Sequence, residues 1–402
     1  MFVISFNVST FSKNLLFRSF SSGLSKELKS LQELCRKFSD EELNPVASQL
    51  DKLGKFPKQQ IEKLGALGMM GICVPTEYGG SGMSTLALSI IVEELSRGCG
   101  STGSIVSIHN CLYANLIQRL GSHDQKLKFL KPLVSGSNIG AFALSESDAG
   151  SDVAALSTTA IKKDDSYILN GSKAWVTSGI EAEVAVVFAT VDKALNHKGI
   201  TAFIVELNSP GVDRGKNEQK LGIRATSTCS LGFIDVQINS SNMLGDSGNG
   251  FKIAMEQLDQ ARIGIASQAL GIAQASLDTA ITYASQRIAF KKPILEMSSV
   301  QNRLADMALR IEASRLLVRN AAHLKDQNVQ TTMHTSMAKW HASETATFCS
   351  HNCIQILGGM GVVEDFSAER FYRDARITEI YGGATDIQKL IVASQLKKNY
   401  GL

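Results

Sequence analysis

The chain has 402 residues, 44% of them hydrophobic, and a formal net charge of +3. That length can bury a large core, with room for two or three subdomains. A nearly neutral body gives a nucleic-acid partner no electrostatic footing, and no apolar run approaches the roughly 20 residues needed to span a bilayer.

The N-terminus carries Lys13, Arg18 and Lys26 before its first acid, Glu27. Ser and Thr are frequent there, interspersed with Phe2, Phe6, Leu15, Leu16, Phe17 and Phe20. This is the pattern of a mitochondrial transit peptide, assigned to residues 1–24, and it points to the mitochondrial matrix. A disordered tail is the plainer alternative. A secretory signal fits worse, because Lys13 and Arg18 interrupt any apolar core.

From about residue 25 to 137 the pattern is helical, with Leu28, Leu31, Leu34 and Cys35 at three- and four-residue steps. A further helix is expected from Ser84 to near Arg97, followed by a break over Gly98–Gly103. Val74–Gly82 reads as a loop of turn-forming residues. From about 138 to 248 short β-branched and aromatic runs predict a β domain, with Lys163–Ser166 as a hairpin turn. From about 249 to 402 long helices return, roughly at 249–288, 299–326, 332–357 and 385–398. The stretch Ile263–Ile272 is apolar nearly all round and belongs inside a bundle or interface. The fold class is therefore mainly α with a central β domain: N-terminal α domain, middle β domain, C-terminal four-helix bundle. Seven scattered cysteines suit a reducing compartment. Cys349 and Cys353 share a helix face with too few partners for a metal site, so no metal is expected.

Three segments carry the chemistry. Ala143–Asp152 is rich in small and hydroxyl residues, which allow close backbone approach to a ligand. Lys173–Gly179 sets a flat aromatic and a hydroxyl together on a strand, suited to lining an isoalloxazine ring. Gln355–Gly361 is a glycine turn leading into a charged helix with Arg370 and Asp374. There is no glycine-rich Rossmann fingerprint, so a flavin would bind by another route.

In this order these segments resemble both signatures of the acyl-CoA dehydrogenase family, over about Ser25 to Tyr400. Gly222-Ile223-Arg224, Gly250–Met255, Arg262–Gln274 and Tyr372–Tyr381 look like its short-chain branch. The resemblance implies a homotetramer holding one FAD per subunit. It implies α,β-dehydrogenation of a fatty acyl-CoA thioester and electron transfer to electron-transfer flavoprotein. By the same resemblance Phe142, Leu144, Ser145 and Ser151 would contact flavin and pyrophosphate, Ser151 also touching the acyl-CoA. Trp175, Val176 and Thr177 would line the flavin. Arg287, Gln355, Ile356, Leu357, Gly358 and Gly359 would reach a neighbouring subunit's FAD. Asp259, Arg262 and Gly383 would contact substrate, and Ala384, Thr385 and Asp386 would start a helix near the cofactor.

One position departs from that pattern. In short- and medium-chain members a glutamate stands where this chain has Gly382, and it takes the substrate's α-proton while its own backbone N–H polarises the thioester. The family's other station for the base, just before the arginine at Arg262, holds Ala261. Losing a positioned base typically forfeits about 10²–10⁴ in rate. Asp259 is the foremost substitute, ahead of Glu379 and Asp386, with Glu256 and Glu364 behind. Asp148, Lys291 and Ser298 also differ from the family's usual residues around the FAD. The function expected is short-chain acyl-CoA dehydrogenation with a relocated or missing base. The alternatives are a pseudoenzyme that binds FAD or acyl-CoA and, less well supported, an acyl-CoA oxidase.

Overall fold

The computed structural model describes residues 24–402, so all but the last residue of the expected leader lies outside the described residues. Helix α1 (Lys26–Phe38) starts where Ser25 Oγ accepts the Leu28 N–H; it buries Cys35 and half-buries Leu28 and Leu31, whereas Leu34, expected on the same face, is exposed. Helices α2 (Asn44–Leu53), α3 (Lys58–Ala66), α4 (Thr85–Gly98), α5 (Gly100–Ile108), α6 (Asn115–Leu120) and α7 (His123–Phe129) complete the N-terminal region. Ser84 caps α4, and the Asp326 carboxylate accepts the Thr85 and Leu86 N–H groups at 2.7 and 3.0 Å. An acid there complements the positive end of the helix dipole.

The break expected over Gly98–Gly103 shrinks to one extended residue, Cys99, after which α5 begins at once. Packing explains the glycines. A Cβ on Gly103 would stand 1.9 Å from Ser96 Oγ, so this glycine lets α4 and α5 approach closely rather than forming a loop.

The strands are β1 (Gly140–Ala143), β2 (Thr159–Lys163), β3 (Ser166–Thr177), β4 (Val184–Thr190), β5 (Ile200–Glu206), β6 (Val212–Arg214), β7 (Thr228–Asn239) and β8 (Met243–Leu244). They form one sheet in the order β6-β7-β3-β2-β4-β5-β8, with β1 parallel beside β4. The β2–β3 hairpin closes with Lys163 opposite Ser166, and Asp164 takes φ +50°, as its two-residue turn requires.

Beyond the sheet lie α8 (Gly250–Gln286), a short hairpin of β9 (Ile288–Ala289) and β10 (Lys292–Pro293), α9 (Ser298–Asp326), α10 (Thr332–Leu357), α11 (Ala368–Thr378) and α12 (Thr385–Asn399). The four long helices expected here are α8, α9, α10 and α12, and the charged helix expected after the glycine turn is α11. The apolar middle of α8 is wholly buried, and α8 packs on α4, α5, α9, α10 and α11.

Helix α11 ties the regions together. Arg373 pairs with Asp51 of α2 at 2.7 Å and with Glu369 at 2.6 Å. The Ile223 N–H, from the loop before β7, donates to Asp374 Oδ1 at 2.5 Å. Burial holds the Asp374 carboxyl up at about 6, against the opposing pull of that N–H and of Arg370. A carboxyl raised in the fold contributes stability that is complete below its unfolded value and lost as pH rises through about 6. Asp374→Asn should therefore unfold no more easily than the parent at about pH 7.5, and its relative stability should decline toward about pH 5. Thermal melts of both proteins across that range check this, and a pH-independent difference would contradict it.

Candidate active site

The flavin wall expected from Lys173–Gly179 is built on a bulge in β3, between Lys173 and Val176. Trp175 sits at φ +61° and its side chain is 66% exposed, while Val176 is buried and Thr177 half-buried. A positive φ on a bulky residue costs about 1–3 kcal/mol and persists only where the surroundings impose it. Here they do. The Ala174 N–H donates to Ser145 O at 2.9 Å, pinning the bulge to the strand end at Leu144 and Ser145.

Lys173 secures the same junction from beneath. Its buried ammonium donates to Leu144 O at 3.0 Å and to Glu146 Oε1 at 2.8 Å. Glu146 also accepts the Ser157 N–H and hydroxyl and the Thr158 N–H. Burial raises the Glu146 carboxyl, but Lys173 and these donors outweigh it and hold it at about 2. Burial pushes Lys173 down to about 8 against the attraction of Glu146. The pair is charged on both sides, and the carboxylate accepts four hydrogen bonds while the ammonium donates two, which lets a low-dielectric site tolerate it.

Phe142 is half-buried against Phe188, and Ser151 is exposed in the turn after β1, together with Ser147 and Asp148. An open indole, the Thr177 hydroxyl and the Leu144–Ser145 backbone form a surface that fits a flat, hydrogen-bonding ring system. Arg287, Gln355, Gly358 and Gly359 are exposed at the ends of α8 and α10, and a Cβ on either glycine would meet nothing. Ile356 and Leu357 differ: both side chains are core residues of the bundle, which leaves only their backbone for a ligand.

The Gly382–Gly383 turn lies between α11 and α12, with φ +65° and +94°. The Gly382 N–H donates to no group among the described residues. The Gly383 carbonyl accepts from Lys339 Nζ at 2.8 Å and from Gln388 Nε2 at 2.9 Å. The Thr385 N–H returns to Glu379 O at 3.0 Å, and Tyr381 donates its hydroxyl proton to Gln268. Ala384 precedes α12 in an extended conformation, and Asp386 is exposed in that helix's first turn. A Cβ built on Gly382 would lie 2.1 Å from Ile265 Cδ1, so this methyl of α8 fills the space beside the missing side chain. Ala261, the other station, is buried.

Of the substitute carboxylates, all but the exposed Asp386 are already engaged. Arg262 donates to Asp259 Oδ1, and Thr332 Oγ1 donates to Oδ2 at 2.7 Å. Asp259 therefore anchors α8 to α10, which tells against the expectation that it replaces the base. Glu379 is held in the same way by Thr347 and Arg376. Glu256 pairs with Arg119 and Glu364 with Lys52. Lys339 is not recognisable from the sequence as a site residue, since it is neither a carboxylate nor part of a signature segment. Its only signal was a lone lysine within Ser336-Met337-Ala338-Lys339-Trp340. No cluster of metal-ligating residues occurs among the described residues.

Domain models of the acyl-CoA dehydrogenases match the chain in three parts: the N-terminal domain over residues 25–137, the middle domain over 141–236 and the C-terminal domain over 248–397. Mitochondrial short-chain specific acyl-CoA dehydrogenase of Rattus norvegicus is 53% identical over 370 residues, which is 92% of this chain and 90% of that protein. Butyryl-CoA dehydrogenase of Megasphaera elsdenii superposes with a TM-score of 0.91 at 41% identity, covering 93% of this chain and 98% of that one. A chain from a structure of the electron transferring flavoprotein of Acidaminococcus fermentans matches with the same score, identity and coverage.

Breaking the Glu146–Lys173 pair tests its hold on the flavin wall. Glu146→Gln strands a buried ammonium and should cost about 3–5 kcal/mol of stability. The same variant should retain less flavin through purification. Denaturant unfolding and the absorbance ratio of flavin to protein measure the two effects.

Proposed function

The chain belongs to the acyl-CoA dehydrogenase family of FAD-dependent oxidoreductases, and we propose that it dehydrogenates short-chain acyl-CoA thioesters at a site that keeps its polarising amide but lacks a carboxylate base at Gly382. The observation that carries this reading is the Gly382–Gly383 turn. Its N–H remains unengaged, its carbonyl is pinned by two donors, and its side chain is gone.

The exposed Trp175, Thr177 and the Leu144–Ser145 backbone would hold the flavin ring. Ser151 and the start of α12 at Ala384, Thr385 and Asp386 would lie along the cofactor and substrate. When bound, FAD supplies the hydride acceptor. The Gly382 N–H donates to the thioester oxygen and makes the α-proton more acidic, while Arg262 and Asp259 line the channel. Without a positioned base the proton leaves slowly, at a cost of about 10²–10⁴ in rate.

Several features support the setting. The basic, acid-free leader and the mitochondrial relatives support the mitochondrial matrix. The match to a chain from an electron transferring flavoprotein structure supports that carrier as the electron acceptor. A homotetramer would cover Leu309 and Leu316, exposed one heptad apart on α9, and Phe290 at the tip of the β9–β10 hairpin. Arg287, Gln355, Gly358 and Gly359 would then reach a neighbouring subunit's FAD.

The engaged carboxylates of Asp259 and Glu379 favour a second reading, in which the protein binds FAD and acyl-CoA without turnover. Anaerobic mixing with butyryl-CoA separates the two. We expect slow bleaching of the flavin with enoyl-CoA formation, accelerated about 10²–10⁴-fold in Gly382→Glu. The substitution fits at a modest cost: a left-handed glutamate is penalised by about 1–2 kcal/mol, and the end of Ile265 must rotate. Binding without bleaching in the parent would favour the binding protein, and parental bleaching as fast as that of Gly382→Glu would overturn the missing-base reading.

A further inference from the structure

Lys339 is among the largest side chains wholly buried in the protein, yet no carboxylate pairs with it among the described residues. Burying an ammonium without a counter-ion is costly. Burial, reinforced by Arg262 of α8 and opposed by Glu379 after α11, pushes the amine down to about 7. Its hydrogen bond goes to one carbonyl, that of Gly383, at 2.8 Å.

That carbonyl belongs to a stretch of the site with little intrinsic stiffness. Consecutive glycines at φ +65° and +94° lack the side chains that would restrict the backbone, and ordering them carries the highest entropic cost. A clamp from outside must supply the missing constraint. Lys339 from α10 and Gln388 from α12 converge on one oxygen from two helices, while the Thr385 N–H fixes the far end of the turn to Glu379 O.

We propose that Lys339 is a positioning residue for thioester polarisation: its hydrogen bond to the Gly383 carbonyl holds the glycine pair so that the Gly382 N–H points at the acyl carbonyl. The residue touches no substrate and removes no proton. It acts through the turn, where it replaces conformational restraint that a side chain at position 382 would have supplied. The inference rests on the thioester site described above.

The test reads the carbonyl rather than turnover. Butyryl-CoA labelled with ¹³C at the thioester carbon is bound to the FAD-loaded protein, and its carbonyl stretch is followed by isotope-edited infrared difference spectroscopy. In the parent the band should shift to lower frequency than in free butyryl-CoA. In Lys339→Met, similar in length but without donors, most of that shift should vanish while flavin content and affinity for CoA itself are retained. If the methionine variant does not fold, the parent alone decides. Its shift should weaken as pH rises through about 7, because an ammonium is the stronger donor and gives way to an amine. Glu379→Gln should move that break to lower pH, since Glu379 is the charge that opposes the depression of Lys339. A full shift in Lys339→Met, or a pH-independent shift in the parent, would overturn the proposal. Failure of the parent to bind butyryl-CoA would instead overturn the thioester site itself.

Discussion

The seating of α11 is the constraint on which the rest of the molecule depends. Arg373 reaches Asp51 in the N-terminal helices, and the adjacent Asp374 receives the Ile223 N–H beside the sheet. Gly222 allows this approach, because a Cβ there would stand 2.2 Å from the Arg373 carbonyl. Arg370 adds a bond to Ser48 at 2.8 Å. Three parts of the chain thus meet on one short helix. The Gly382–Gly383 turn follows four residues after that helix ends at Thr378, so its placement is inherited from the junction.

The two halves of the site are organised by the same rule. On the sheet side a buried lysine, Lys173, holds the Leu144 carbonyl beneath an exposed tryptophan. On the bundle side another, Lys339, holds the Gly383 carbonyl next to the unengaged Gly382 amide. The first has a carboxylate partner and the second does not. Their charge states differ for that reason: attraction to Glu146 resists the depression of Lys173, whereas Lys339 also feels repulsion from Arg262.

Much of the fold was legible because its signals are local. The three- and four-residue spacing of Leu28, Leu31 and Cys35 marked the inner face of α1, though Leu34 falls outside it, and the two aspartates at 164–165 marked a hairpin. The apolar Ile263–Ile272 stretch declared a central helix. The errors came from contacts distant in sequence. Gly100 and Gly103 resembled a loop, but they serve the close approach of α4, α5 and α8. At the site, Gly382 and Ala261 drew attention because each lies within a familiar stretch of sequence. The ties of Asp259 to Thr332, and of Lys339 to Gly383, cross 73 and 44 residues and leave no periodic trace.

Ile265 gives the glycine at 382 a meaning in terms of heredity. The obstacle beside Gly382 is the end of an aliphatic side chain, not backbone, and it can turn away. The penalty for a left-handed glutamate, about 1–2 kcal/mol, is small beside the stability of an ordinary domain. Glycine and glutamate codons can differ by a single base. Neither packing nor the genetic code therefore bars a carboxylate from arising at this position in a single step.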